Sequence, residues 1–144
     1  MAAMTNALLE STRLPLFDRI TPADVGPAIN TLIERAQAAL ETVTAPDFPA
    51  EWNAIAKVLD VATEQLGMQW SAVSHLSSVA DSPELRAAYN EALPKITEFW
   101  TKLGADERLY AKYKAIDVST LTPEQKTLND IAASACPASA GGPF

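Results

Sequence analysis

Three times in this chain a hydroxyl residue stands immediately before a proline, with an acidic residue just beyond. The three sites are Thr21-Pro22-Ala23-Asp24, Ser82-Pro83-Glu84 and Thr122-Pro123-Glu124. Each reads as a helix start. The hydroxyl can accept from a first-turn N–H, proline's missing N–H is not needed at the first helical position, and the carboxylate meets the positive end of the helix dipole. Ile20 and Val25 flank the first start as a hydrophobic staple, Asp81 offers an alternative cap beside Ser82, and Gln125 turns the third into a capping box.

Between these starts the apolar residues recur at steps of three and four, the period of a helix with one buried face. Val25, Ile29, Leu32, Ile33, Ala36, Leu40 and Val43 form the first stripe, which continues past Pro27. Ala45-Pro46-Asp47-Phe48-Pro49 ends it. A second helix is predicted from about Pro49 to Val79, with Trp52, Ile55, Leu59, Ala62, Leu66, Trp70 and Val73 as its stripe and Gly67 as a weak point. A third carries Leu85, Tyr89, Ala92, Ile96, Phe99 and Leu103, kinked at Pro94 and closed by Gly104 as the residue after its C-cap. A short fourth carries Leu109, Tyr113 and Ile116, and the fifth begins at Thr122. No segment alternates with period two, so the expected fold is all-α, an antiparallel array of four to five helices. The predicted organisation is an extended N-terminal arm over residues 1–20, anchored by Leu14, Pro15, Leu16 and Phe17, then a helical domain over 21–133. A tail over 134–144, rich in small residues and proline, is expected to be disordered. The expected core contains Ile29, Leu32, Ile55, Leu59, Leu66, Leu85, Tyr89, Ile96 and Phe99.

Composition narrows the partners. The 144 residues suffice for one domain with a real core, and 48% hydrophobic against 20% charged residues argues for a packed globule. A net charge of −7, with 11 Lys and Arg scattered singly, argues against nucleic acid, whose phosphates need clustered cations. No apolar run approaches the ~20 residues of a membrane span, and the start lacks a basic, then apolar, export signal. With one cysteine, Cys136, no internal disulfide is possible, which fits a reducing compartment. A cytoplasmic protein with no nucleic-acid or membrane partner is expected.

The residues that could carry chemistry fall short of a site. His75 is the single histidine, whereas a His-Glu-x-x-His zinc helix needs two. Ser71 and His75 are four apart and share a helix face, but a nucleophile–base pair also needs an orienting carboxylate and an oxyanion hole. Cys136 has no nearby base or cation to lower its pKa. Asp24, Asp81, Glu84, Asp106 and Glu107 all stand at helix starts, where capping accounts for them, and Glu34, Glu41 and Glu64 read as solvated positions. Trp52, Trp70 and Trp100 could form an aromatic platform, yet Trp52 and Trp70 lie on a core stripe. The expectation is no catalytic, cofactor-binding or metal-binding residue in this chain.

Several phrases nevertheless agree, in order, with one family. Ile20-Thr-Pro-Ala-Asp-Val-Gly-Pro-Ala28, Trp70-Ser-Ala-Val-Ser-His-Leu-Ser-Ser-Val79, Asp81-Ser-Pro-Glu-Leu-Arg-Ala-Ala-Tyr-Asn90 and Asp106-Glu-Arg-Leu-Tyr110 resemble the N-terminal helical region of the oligopeptidase A group. These are zinc metallopeptidases of the thimet oligopeptidase family. The resemblance runs from about Asn6 to Asn129 and covers roughly the first fifth of such an enzyme. It implies a mostly helical body around a deep channel with zinc at its floor, cleaving short cytoplasmic peptides. The zinc ligands and catalytic glutamate lie far downstream, so zinc belongs to the full-length family and no functional residue carries over. This region corresponds to the wall that limits access to short, unfolded peptides.

The resemblance also gives the tail a meaning. Relatives continue the last helix into a pattern like Phe-Arg-Leu-Ser-Gly, and codons can be chosen for Ser134–Gly141 that yield that pattern one base out of frame. A frame slip near Asp130 is therefore one expectation, with an inactive fragment as its product. A standalone helical interaction domain and one half of a two-chain peptidase are the alternatives. On any of them, surfaces built to meet a missing body should leave an apolar patch that favours self-association.

Overall fold

A computed structural model describes residues 6–10 and 14–134 of the chain. Five helices account for most of them. They are α1 (Pro22–Thr44), α2, α3 (Pro83–Gly104), α4 (Glu107–Ala115) and α5 (Pro123–Ser134). Helix α2 runs unbroken through Trp52–Ile55, a π turn over Ala56–Asp60, and Val61–Val79. Among the described residues there is no strand, and no helix is long and apolar enough to cross a membrane. The all-α expectation holds.

The caps form as their residue types require. At α1, the N–H and hydroxyl of Thr21 both donate to Asp24 Oδ2, at 2.9 and 2.8 Å. At α3 it is Ser82 that caps, its Oγ accepting from Leu85 N–H at 3.1 Å, while Asp81 pairs with Arg86. At α5 the box closes in both directions, Thr122 N–H to Gln125 Oε1 at 3.1 Å and Gln125 N–H to Thr122 Oγ1 at 3.2 Å. Neither internal proline ends its helix. Pro27 and Pro94 are exposed, as are Ala23 and Asn90, whose carbonyls lose a donor, so water can satisfy them.

Helix α1 is the spine. Its first half buries Val25, Ala28, Ile29, Leu32, Ile33 and Ala36 against Leu66 and Val73 of α2 and Leu85, Ala92, Ile96 and Phe99 of α3. Its second half buries Ala39, Leu40 and Val43 with Ile55 and Leu59 of α2, Leu109 of α4 and Ile116. Early α1 meeting late α2, and late α1 meeting early α2, makes the pair antiparallel, as the short 45–51 connection requires. Ile29, Ile55 and Leu66 are fully buried, each contributing on the order of 1.5–3 kcal/mol of apolar transfer.

Five expectations need correction. The arm is not simply extended, since 3-10 turns form at Ala7–Leu9 and Phe17–Arg19. Its anchor is Leu8, 1% exposed, whereas Leu14 and Phe17 face solvent at 74% and 41%. Asn6 fixes that anchor by donating from Nδ2 to the Asp24 carbonyl at 2.9 Å and accepting from Leu8 N–H at 3.0 Å. Gly104 is the last residue of α3 and has no positive φ; Ala105 follows as the C-cap and donates to the Thr101 and Lys102 carbonyls. Tyr89 is half-buried at the rim of the first cluster, stacked on Trp70. Helix α5 includes Ser134, and the rest of the expected tail, with Cys136, lies outside the described residues.

Candidate functional site

The fold separates most of the residues that could have carried chemistry. Ser71 and His75 are both exposed on α2 and no hydrogen bond joins them among the described residues. His75 instead meets the ring of Phe17 edge-on, with centroids 5.6 Å apart. Asp24, Asp81 and Asp106 are engaged in caps and ion pairs, and Glu34, Glu64, Glu84 and Glu107 are exposed. The three tryptophans do not converge. Trp52 packs on Tyr113 at 6.0 Å, Trp70 stacks on Tyr89 at 4.7 Å and 15°, and Trp100 stands edge-on to Phe99, 39% exposed.

The most organised polar group was not singled out by the sequence. Arg108, in the first turn of α4, grips two carboxylates from different elements. Nη1 and Nη2 donate to the two oxygens of Glu41 on α1, at 2.8 and 2.7 Å. Nη2 and Nε donate to Asp106, at 2.8 and 3.3 Å. Asp106 also caps α4, its Oδ1 accepting from the N–H groups of Arg108 and Leu109 at 2.9 and 3.1 Å. The guanidinium holds both carboxyls below their ordinary range, and they in turn push Arg108 further up. Asp106-Glu107-Arg108 reads from sequence as a helix start alone; that Glu41, 67 residues away, would complete the fork has no local signal.

These residues line a surface cleft of about 730 Å³ between the C-terminal half of α1, the end of α3 and the start of α4. Leu40, Phe99 and Leu103 form its apolar wall. Its cations are already engaged, Arg108 as above and Lys102 with Glu98 at 2.6 Å. Among the described residues lining the cleft, both cations are therefore spent on carboxylates, and the exposed Glu107 adds only negative charge. Tyr113, on the other side of α4, is pushed up to about 12, first by burial and then by the negative charge of Asp60. It lies against Trp52.

Among the described residues no group of three or more His, Cys, Asp or Glu side chains could hold a metal ion, and the single histidine is exposed and tied to a ring.

With that geometry in hand, the comparisons with known proteins decide the family. Residues 29–132 match the model of the neurolysin/thimet oligopeptidase N-terminal domain, a stretch that runs from the first half of α1 into α5. The chain belongs to the neurolysin/thimet oligopeptidase family. Oligopeptidase A of Salmonella typhimurium is 40% identical over 131 residues, covering 88% of this chain and 19% of the relative. Oligopeptidase A of Escherichia coli is 38% identical over the same length and shares. A protein of Arabidopsis thaliana named probable cytosolic oligopeptidase A is 32% identical over 126 residues, covering 88% of this chain and 17% of its own length. The chain therefore spans about a fifth of the length of the curated relatives it matches.

Proposed function

We propose that this chain acts as a non-catalytic wall of an oligopeptidase A-type peptidase. In this reading it flanks the channel through which short cytoplasmic peptides reach a zinc centre carried by polypeptide outside this region. The observation that carries the reading is the match of 88% of the chain to the N-terminal fifth of oligopeptidase A. The wall's task is steric: rigid packed helices exclude folded chains while admitting extended ones, and α1, anchored at both ends by its two clusters, supplies the rigidity. A cytoplasmic setting is supported by the lone cysteine and by the name of the plant relative.

The purified chain, supplied with zinc and a short internally quenched peptide, should bind no stoichiometric metal and hydrolyse nothing. Chelator-sensitive hydrolysis by the chain alone would overturn the reading.

A further inference from the structure

We propose that the groove between α1 and α3 is a docking site for a cationic amphipathic helix. Two depressions, about 730 and 260 Å³, lie side by side there and share Gln37, Phe99 and Lys102 as lining residues. Ile33 and Phe99 form the apolar floor of the smaller one, and Leu40 and Leu103 continue it in the larger. Lys95 Nζ donates to Asn30 Oδ1 at 3.2 Å across one end, and the Arg108 fork onto Glu41 spans the other. From Asn30 to Glu41 the groove follows α1 for roughly 16 Å, or about three helical turns.

Charge identifies the occupant. Among the described residues, the lining carries five carboxylates, on Glu34, Glu41, Glu98, Asp106 and Glu107, against three cations, on Lys95, Lys102 and Arg108. Each of those cations is engaged: Lys102 with Glu98 at 2.6 Å, Lys95 with Glu91 at 3.6 Å, and Arg108 with Glu41 and Asp106. Glu34 and Glu107 are left exposed, with no ion pair among the described residues. Glu34 precedes Glu41 by roughly 10 Å along α1, and Glu107 adjoins the arginine that Glu41 binds. The two free carboxylates therefore stand about two helical turns apart beside an apolar floor. A helix with basic residues at i and i+7 and an apolar stripe between them matches that pattern. An extended strand would need a row of backbone partners, and the main-chain groups of α1 and α3 are committed to their own helices. A second copy of this chain, at net charge −7, brings the wrong sign. The inference stands on the groove alone and goes beyond the wall role.

The test is fluorescence anisotropy of the purified full chain at low salt with two labelled peptides, each about two heptads long and patterned as an amphipathic helix. One is built of leucine and lysine, the other of leucine and glutamate. The leucine–lysine peptide should bind saturably, and the leucine–glutamate peptide should not. Glu34→Lys combined with Glu107→Gln should weaken binding about tenfold or more. Asp47→Asn combined with Glu64→Lys changes the net charge equally at exposed positions outside the groove, and should leave the affinity within about twofold. Gln37→Trp, at an exposed position that both depressions share, should block binding without touching the core. The far-UV circular dichroism of every variant should match that of the parent chain. No binding by the parent chain overturns the inference, as do equal affinities for the two peptides, or equal affinities of the parent and the Glu34–Glu107 variant for the leucine–lysine peptide. A homodimer that Gln37→Trp dissociates overturns it too, by giving the groove a different occupant. The wall reading is judged separately, by whether the chain alone binds metal or hydrolyses peptide.

Discussion

Gln69 lies in α2 in phase with Leu66 and Val73, is 4% exposed, and its Oε1 has no hydrogen-bond partner. An unpaired buried carbonyl costs about 1–3 kcal/mol, because the water bonds it lost on folding were not replaced. Methionine has a similar unbranched length, close to the same helix propensity, and a flexible thioether that fills irregular space. Gln69→Met should therefore remove the desolvation penalty while retaining the packing, a net stabilisation of about 1–2 kcal/mol. At roughly 4 °C per kcal/mol for a domain of this size, the melting temperature should rise by ~4–8 °C. Thermal unfolding followed at 222 nm, with urea unfolding to check that the m-value is unchanged, measures it. A melting temperature equal to or below that of the parent chain would refute the reasoning, showing that the carbonyl is satisfied in solution by a buried water or a shifted neighbour.

Further predictions concern the spine and the Arg108 fork. Leu66→Ala empties a fully buried position in the first cluster and should cost about 2–5 kcal/mol in chemical denaturation. Glu41 and Asp106 have carboxyls held below their unfolded values, so their contribution is present above about pH 4 and is lost as pH falls through the folded values. Arg108→Gln removes the cause, and the midpoint of acid unfolding should move to higher pH. Tyr113 is raised to about 12, so its contribution is intact below about pH 10 and lost as pH rises toward 12. Spectrophotometric titration should show one late tyrosine, and Tyr113→Phe should remove that step.

The helices could be read from sequence because their signals are local. Thr21, Ser82 and Thr122 cap the helices they precede, and the stripes of α1 and α3 became the faces that bury Ile29, Leu32, Ile96 and Phe99. What escaped depends on distance or on backbone detail. Leu14 and Phe17 are as apolar as Leu8, but only Leu8 reaches the core, because Asn6 ties its turn to the Asp24 carbonyl. The π turn at Ala56–Asp60 leaves no mark on a three-and-four pattern that continues through it. Nor does any local signal say which face of α5 is covered, where Asn129 turns inward and Leu128 and Ile131 stay exposed. At the candidate site, one histidine already argued against a metal centre, whereas the Arg108 fork exists only once α4 has docked beside α1.

If, as proposed, this domain shapes access to a channel whose chemistry lies elsewhere, that property should travel with it into a full-length relative. Exchanging residues 6–134 for the matching segment of Escherichia coli oligopeptidase A, and assaying a ladder of quenched peptides of increasing length, tests it most directly. The chimera should be a zinc-dependent enzyme that cleaves short peptides and falls off steeply with length, as its parent does. A chimera that folds and binds zinc but cleaves long or folded substrates as readily as short ones would contradict it.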